Sequence, residues 1–259
     1  MTVPELAFTP VVGPGDAPLV VLGPSLGTST ILWEDVIPLL SGRLRVTAWD
    51  LPGHGASPGT VEPFSVQELA DAVAGGVRDL GETSVLYAGV SLGGATGLML
   101  ALRHPSLVER AAIVASGAKL GEPLGWFERA NQVRAQSTSS LIISSAERWF
   151  APDSVANRPE LSGRLLHALQ DADDESYVLC CGALAAYDVR DELSDIAPPI
   201  DAVWGEFDKV APEEKAVEIA DGVQRGSVTR IAGAAHLPPA EQPEAVASAL
   251  LAFLTKEEA

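Results

Sequence analysis

A chain of 259 residues, 47% of them apolar, is long enough for one large α/β domain or two small ones with a sizeable core. Asp and Glu number 35 against 17 Lys and Arg, a formal charge of −18, which argues against partners that present phosphates or anionic lipid. No nucleic acid and no membrane surface is therefore expected as a partner. The opening MTVPELAF lacks a basic segment followed by an apolar run and a small-residue cleavage site, so a cytoplasmic protein is expected.

In chain order, LVVL at 19–22 and RVTAW at 45–49 are short apolar or β-rich runs bounded by turn residues, and both read as buried strands. Residues 65–80 open with Ser65, carry Glu68 three positions on and repeat apolar residues at helical spacing, which predicts a helix with a capping box. VLYA at 85–88 predicts a strand, 93–102 a helix and 111–115 another strand. The run 84–102 is uncharged and as long as a membrane span, but its four glycines and two serines break it into strand, turn and helix.

Between 119 and 187 the alternation lapses: helix-like segments at 126–136, 141–150 and 161–169 follow one another with no convincing strand. It resumes with a strand at 200–204, a helix around 213–220, a strand at 227–231 and a last helix at 243–254. Strands alternating with helices imply parallel crossovers and helices on both sheet faces. The expected architecture is one α/β domain, its mostly parallel sheet built from 1–118 and 188–259, with a helical lid over about 119–187. Cys180 and Cys181 are adjacent, lack metal-ligand spacing and read as core residues.

Two stretches, GPSLG at 23–27 and GVSLG at 89–93, fit the GxSxG pattern of a serine held on a sharp strand-to-helix turn. Ser91 has a strand directly before it, a helix directly after it and small neighbours in Gly89, Gly93 and Gly94. The helix N-terminus there favours developing negative charge. Ser25 follows a strand too, but Pro24 before it and Thr28-Ser29-Thr30 after it make a poor helix start. Ser91 is accordingly the candidate nucleophile.

A serine hydroxyl needs a base and an orienting carboxylate. Of four histidines, His236 lies between the last strand and the last helix, where a loop can carry it over the strand ends. His54, His104 and His167 read as turn packing, helix capping and lid surface. Asp208, in WGEFDKVAP after the strand at 200–204, falls between serine and histidine in chain order, with Glu206 as its nearest rival. Asp188, Asp191 and Asp195 belong to a charged run before that strand, which reads as a solvated face.

GPSLGTS, WDLPGHGAS, GVSLGG, WGEFDKVAP and GAAHLPPAEQPE, in this order, resemble the α/β-hydrolase superfamily over nearly the whole chain. PSLGTS with Trp33, SGAKLG, ERWF and YDVRDELSDI are similar to the 3-oxoadipate enol-lactonase family within it. The resemblance implies an oxyanion hole from the backbone N–H groups of Leu26 and Leu92, and the first stretch thereby acquires a role. Pro24 stands where many relatives carry histidine or asparagine. The implied activity is hydrolysis of an enol-lactone through an acyl-enzyme, with no metal or organic cofactor.

Such a substrate carries a free carboxylate, and a chain of this charge needs a local cation to hold it. Arg134 and Lys119 are the candidates, with Arg148 and His167 behind them and Trp33 as a further substrate-binding residue. The rival readings are a general carboxylesterase, a cofactor-free perhydrolase on the same residues, and a non-catalytic ligand-binding protein of the same fold. Ser91 at the elbow excludes the relatives that attack with an aspartate.

Overall fold

The computed structural model describes residues 2–256. Six strands, β1 (Leu19–Gly23), β2 (Arg45–Ala48), β3 (Val85–Val90), β4 (Val108–Val114), β5 (Ile200–Gly205) and β6 (Gly226–Ile231), form one sheet in the order β2-β1-β3-β4-β5-β6. Every neighbouring pair is parallel. The central strands are apolar without alternation because both of their faces are covered: β1, β3 and β5 are buried at every residue. At the β2 edge the N-terminal segment pairs antiparallel, Phe8 opposite Trp49 and Val12 opposite Val46, which shields an otherwise open row of backbone groups.

The chain leaves β1 for β2 on one side and returns as β3 on the other. A crevice therefore opens at the carboxyl ends of β1 and β3, the usual location of a ligand site in such sheets. Their register pairs Leu22 with Ala88 and Gly23 with Gly89, so the two GxSLG stretches leave the sheet side by side at the same level.

The helices in chain order are α1 (Ile37–Leu40), α2 (Val66–Asp79), α3 (Leu92–Arg103), α4 (Pro123–Gln136), α5 (Ile142–Trp149), α6 (Ser154–Asn157), α7 (Pro159–Asp171), α8 (Asp174–Ala186), α9 (Glu213–Gly222), α10 (Pro238–Glu241) and α11 (Pro243–Leu254). The capping box expected at Ser65 forms: its hydroxyl accepts from the Glu68 amide at 3.3 Å, and the Glu68 carboxylate accepts from the Ser65 amide at 2.8 Å. Side chains alternate across β4, so Ile113 faces α3 while Arg110 reaches Phe253 of α11 on the opposite face. The sheet is thus covered on both sides.

No strand interrupts α4 to α8 among the described residues. Of these helices the four-residue α6 has no counterpart among the segments named from the sequence, and neither does α8. Val178, Cys180, Cys181, Ala183 and Leu184 bury several of its faces, so it has no clean polar stripe to produce a 3.6-residue signal. Burial pushes the Cys180 thiol well up and that of Cys181 up to about 12, as suits core residues. The uncharged run at 84–102 resolves into β3, a turn and α3, and no helix among the described residues is long and apolar enough to cross a membrane.

Candidate active site

Ser91 occupies the turn between β3 and α3 with φ 55° and ψ −112°, a conformation that costs a non-glycine residue about 1–3 kcal/mol and persists only where the surroundings over-determine it. Its amide donates to the Val114 carbonyl at 2.9 Å, and its own carbonyl accepts from the Ser116 hydroxyl at 2.7 Å and the Ala95 amide at 2.8 Å. The turn is pressed against the first stretch: the Gly93 amide donates to the Pro24 carbonyl at 2.9 Å, and a Cβ on Gly93 would lie 2.6 Å from that oxygen. Only glycine permits that approach. Leu92, the first residue of α3, has no intrahelical acceptor for its N–H.

In the first stretch almost every backbone group is engaged. The Trp33 indole donates to the Gly23 carbonyl at 3.0 Å. The Ser25 amide donates to the Thr28 hydroxyl at 3.1 Å, while the Ser25 carbonyl accepts from the Thr28 amide at 3.0 Å and its hydroxyl at 2.8 Å. Gly27, at φ 82°, donates to Nε2 of His54 at 3.2 Å. Of the amides from residue 25 to residue 28, that of Leu26 alone has no acceptor among the described residues. His54 is fully buried, and burial lowers its pKa to about 4, so the ring stays neutral with Nδ1 on the Pro52 carbonyl at 2.9 Å.

Asp208 follows β5 and His236 follows β6, and parallel strands bring both loops to the same end of the sheet. Their side chains are 0% and 4% exposed and meet at 3.0 Å, Oδ2 to Nδ1. Oδ1 of Asp208 accepts from the amides of Val210 at 2.7 Å and Ala211 at 3.1 Å. Burial by itself would raise this carboxyl, but His236 and the two amides outweigh it and hold the carboxyl below its ordinary value. An ionised carboxylate only accepts, so Nδ1 carries the proton and Nε2 is left as an acceptor. Glu206, the rival, is exposed and holds the Gly233 amide at 3.0 Å instead.

The His236 loop is fastened to α5: the His236 amide donates to the Trp149 carbonyl at 3.1 Å. Buried Glu241 accepts from the Ala151 amide at 2.6 Å, the Ser154 hydroxyl at 2.8 Å and the Ala235 amide at 2.7 Å. Burial raises its carboxyl despite those donors.

Ser91, His236, Ser25 and Leu26 line one cavity of about 320 Å³ together with Trp126, Arg129, Arg148 and Trp149 of α4 and α5, and Glu122 and Lys209 also border it. The Arg129 guanidinium lies 4.8 Å from the Trp126 ring centre. Arg148 is half-buried, and burial together with the Arg129 charge lowers its pKa. Neither guanidinium has a carboxylate within ion-pair distance among the described residues.

Three expected substrate contacts are corrected. Arg134 lies five residues beyond Arg129, about 140° around the helix, and points instead toward Glu175 at 3.6 Å. Lys119 is turned to Glu122 at 2.9 Å and does not line the cavity. Trp33 is fully buried behind the loop, where it holds the Gly23 carbonyl rather than a ligand. His167 is exposed and borders a separate depression with Ser29 and Asp171. The placement of Arg129 and Trp126 on the cavity is not legible in the sequence, which does not say which face of α4 turns inward.

An imidazole held by a buried carboxylate and a serine on a strained strand-to-helix turn line one pocket of an all-parallel sheet, an arrangement that fits an α/β hydrolase. The model of the Alpha/beta hydrolase family matches residues 20–249, and the chain belongs to that family. It is 31% identical over 244 residues to 3-oxoadipate enol-lactonase 2 of Acinetobacter baylyi, covering 94% of this chain and 91% of that one. It is 29% identical to a protein named putative carbamate hydrolase RutD of Serratia proteamaculans, covering 93% and 92%. Among solved structures it is similar to the enol-lactonase of Burkholderia xenovorans, with a TM-score of 0.93, 30% identity and coverage of 97% and 96%.

Proposed function

We propose that the protein hydrolyses a small carboxylated enol-lactone, of the 3-oxoadipate enol-lactone kind, through an acyl-enzyme on Ser91. The observation that carries this reading is the pair of guanidiniums, Arg129 and Arg148, neither at ion-pair distance from a carboxylate among the described residues, in the cavity that Ser91 and His236 line and where the one lining carboxylate, Glu122, is turned to Lys119. In a chain of charge −18, two cations kept side by side in a pocket are matched by an anionic ligand. On this reading α4 to α8 form the lid that supplies them.

Ser91 Oγ attacks the lactone carbonyl while Nε2 of His236 takes its proton and Asp208 stabilises the imidazolium. The amides of Leu26 and Leu92 donate hydrogen bonds to the carbonyl oxygen as negative charge develops on it. Collapse breaks the ring C–O bond; His236 returns the proton to the enolate, which becomes a ketone still attached to the acyl group. Water, deprotonated by the same imidazole, releases the oxo acid and restores Ser91. Every step uses groups of this chain and water.

Arg148→Ala is expected to lower kcat/KM on the carboxylated lactone by about ten- to a hundredfold, the worth of one charge-assisted hydrogen bond, and to leave 4-nitrophenyl acetate within about threefold. Equal losses on both substrates overturn the carboxylate reading. A wild-type enzyme that is slow on the lactone and fast on neutral esters identifies a general carboxylesterase instead. Ser25→Ala is expected to keep kcat within about threefold, because the first stretch contributes a backbone amide rather than its hydroxyl; a loss as large as that of Ser91→Ala reverses the assignment of the two serines.

A further inference from the structure

We propose that Thr28 is a positioning residue that aims the Leu26 amide into the cavity. The proposal rests on the acyl-enzyme reading above. In a trans peptide the C=O and the next N–H point in opposite directions, so whatever holds the Ser25 carbonyl also sets the direction of the Leu26 N–H. Thr28 holds that carbonyl twice, through its amide at 3.0 Å and its hydroxyl at 2.8 Å. The same hydroxyl takes the Ser25 amide at 3.1 Å, so one side chain fixes the peptide groups on both sides of Ser25.

Thr28 is fully buried, and no solvent stands ready to replace either bond if the peptide rotates. Its β-branch restricts χ1, which keeps the hydroxyl where both bonds form. Beyond Leu26 the chain is anchored a second time: His54 Nε2 accepts the Gly27 amide, and the His54 ring stacks on Tyr177 of α8 with centroids 6.0 Å apart. With the Ser25 carbonyl and the Gly27 amide both tied, the amide between them has one direction left. Thr28 touches no substrate; it acts through Leu26.

The test compares 4-nitrophenyl acetate with its thiono analogue, whose sulfur is a weaker hydrogen-bond acceptor and draws less on the two amides. Thr28→Val, which keeps the shape and removes the hydroxyl, is expected to lower kcat on the oxygen ester by about a hundredfold with KM within about threefold. The thiono ester should lose far less, so that the oxygen-to-sulfur preference collapses, and Thr28→Ser should restore kcat and preference together. Should the valine variant fail to fold, Thr28→Ala carries the same comparison. Unchanged kcat, or equal losses on both esters beside a lowered Tm, overturns the proposal and leaves Thr28 a structural residue. Failure of the underlying reading has a different signature: Ser91→Ala stays active and the wild type shows no oxygen preference, which removes the oxyanion site and this proposal with it.

Discussion

Replacing Ser91 with alanine is expected to lower kcat by about a million-fold while substrate binding persists and Tm moves by no more than about 2 °C. The size follows from covalent catalysis: without Oγ the amides of Leu26 and Leu92 and the cavity remain, and these alone give about a thousandfold over water. The small stability effect follows from the bonding of the turn. Its conformation is fixed by the backbone of Ser91, bonded to Val114, Ser116 and Ala95, and alanine keeps every one of those bonds. Labelling by a fluorophosphonate checks the assignment directly, because it needs the same oxygen. A variant that still labels would move the nucleophile elsewhere, with Ser25 the neighbouring serine in the cavity.

Asp208→Asn is expected to lower kcat by about ten-thousand-fold, and the hydrogen bonds around Oδ1 say why so conservative a change should be so costly. The Val210 and Ala211 amides both donate to that oxygen, so an asparagine keeps its carbonyl there and turns its NH2 toward His236. The imidazole must then accept at Nδ1 and carry its proton on Nε2, where it cannot receive the proton of Ser91. The same carboxyl has a pH signature. Its folded pKa lies below its unfolded value of about 3.9, so the stability it contributes is present above that value and is lost as pH falls through the folded one. The Tm gap between wild type and Asp208→Asn is therefore expected to be widest near neutrality and to close in acid. A gap independent of pH would mean that Asp208 is not held ionised by His236.

The strand, turn and helix about Ser91 are legible in the sequence because each rests on local chemistry: an apolar run, glycines where the backbone is crowded, and an uncharged helix start. The loops of Asp208 and His236 follow from the order of strands alone. The helical turns from Thr30 to Leu40 are not legible, since Thr30, Ile31, Val36, Ile37 and Pro38 weaken the helical signal of so short a segment. The cationic wall of the cavity is legible in part: Arg148 is among the sequence candidates, Arg129 is not. Arg129 and Arg134 are the same residue type on the same helix, and only the packing of α4 on α8 decides that the first faces inward while the second meets Glu175. His54 reads as turn packing, and so it is, but the turn it packs is the one that carries Leu26.

The pairing of Gly23 with Gly89 has a consequence for how this protein can change. Distances in the hydrolytic centre are set by counting residues along two adjacent strands, at about 3.3 Å for each. Removing one residue between Leu19 and Gly23 would draw the Leu26 amide back by that step and turn the strand's side chains to the opposite face. Changes of length that spare this register are those in the surface connections and in the helices between β4 and β5. Rebuilding those helices would alter the cavity wall without disturbing the register, while the two short turns keep their spacing only if both keep their length.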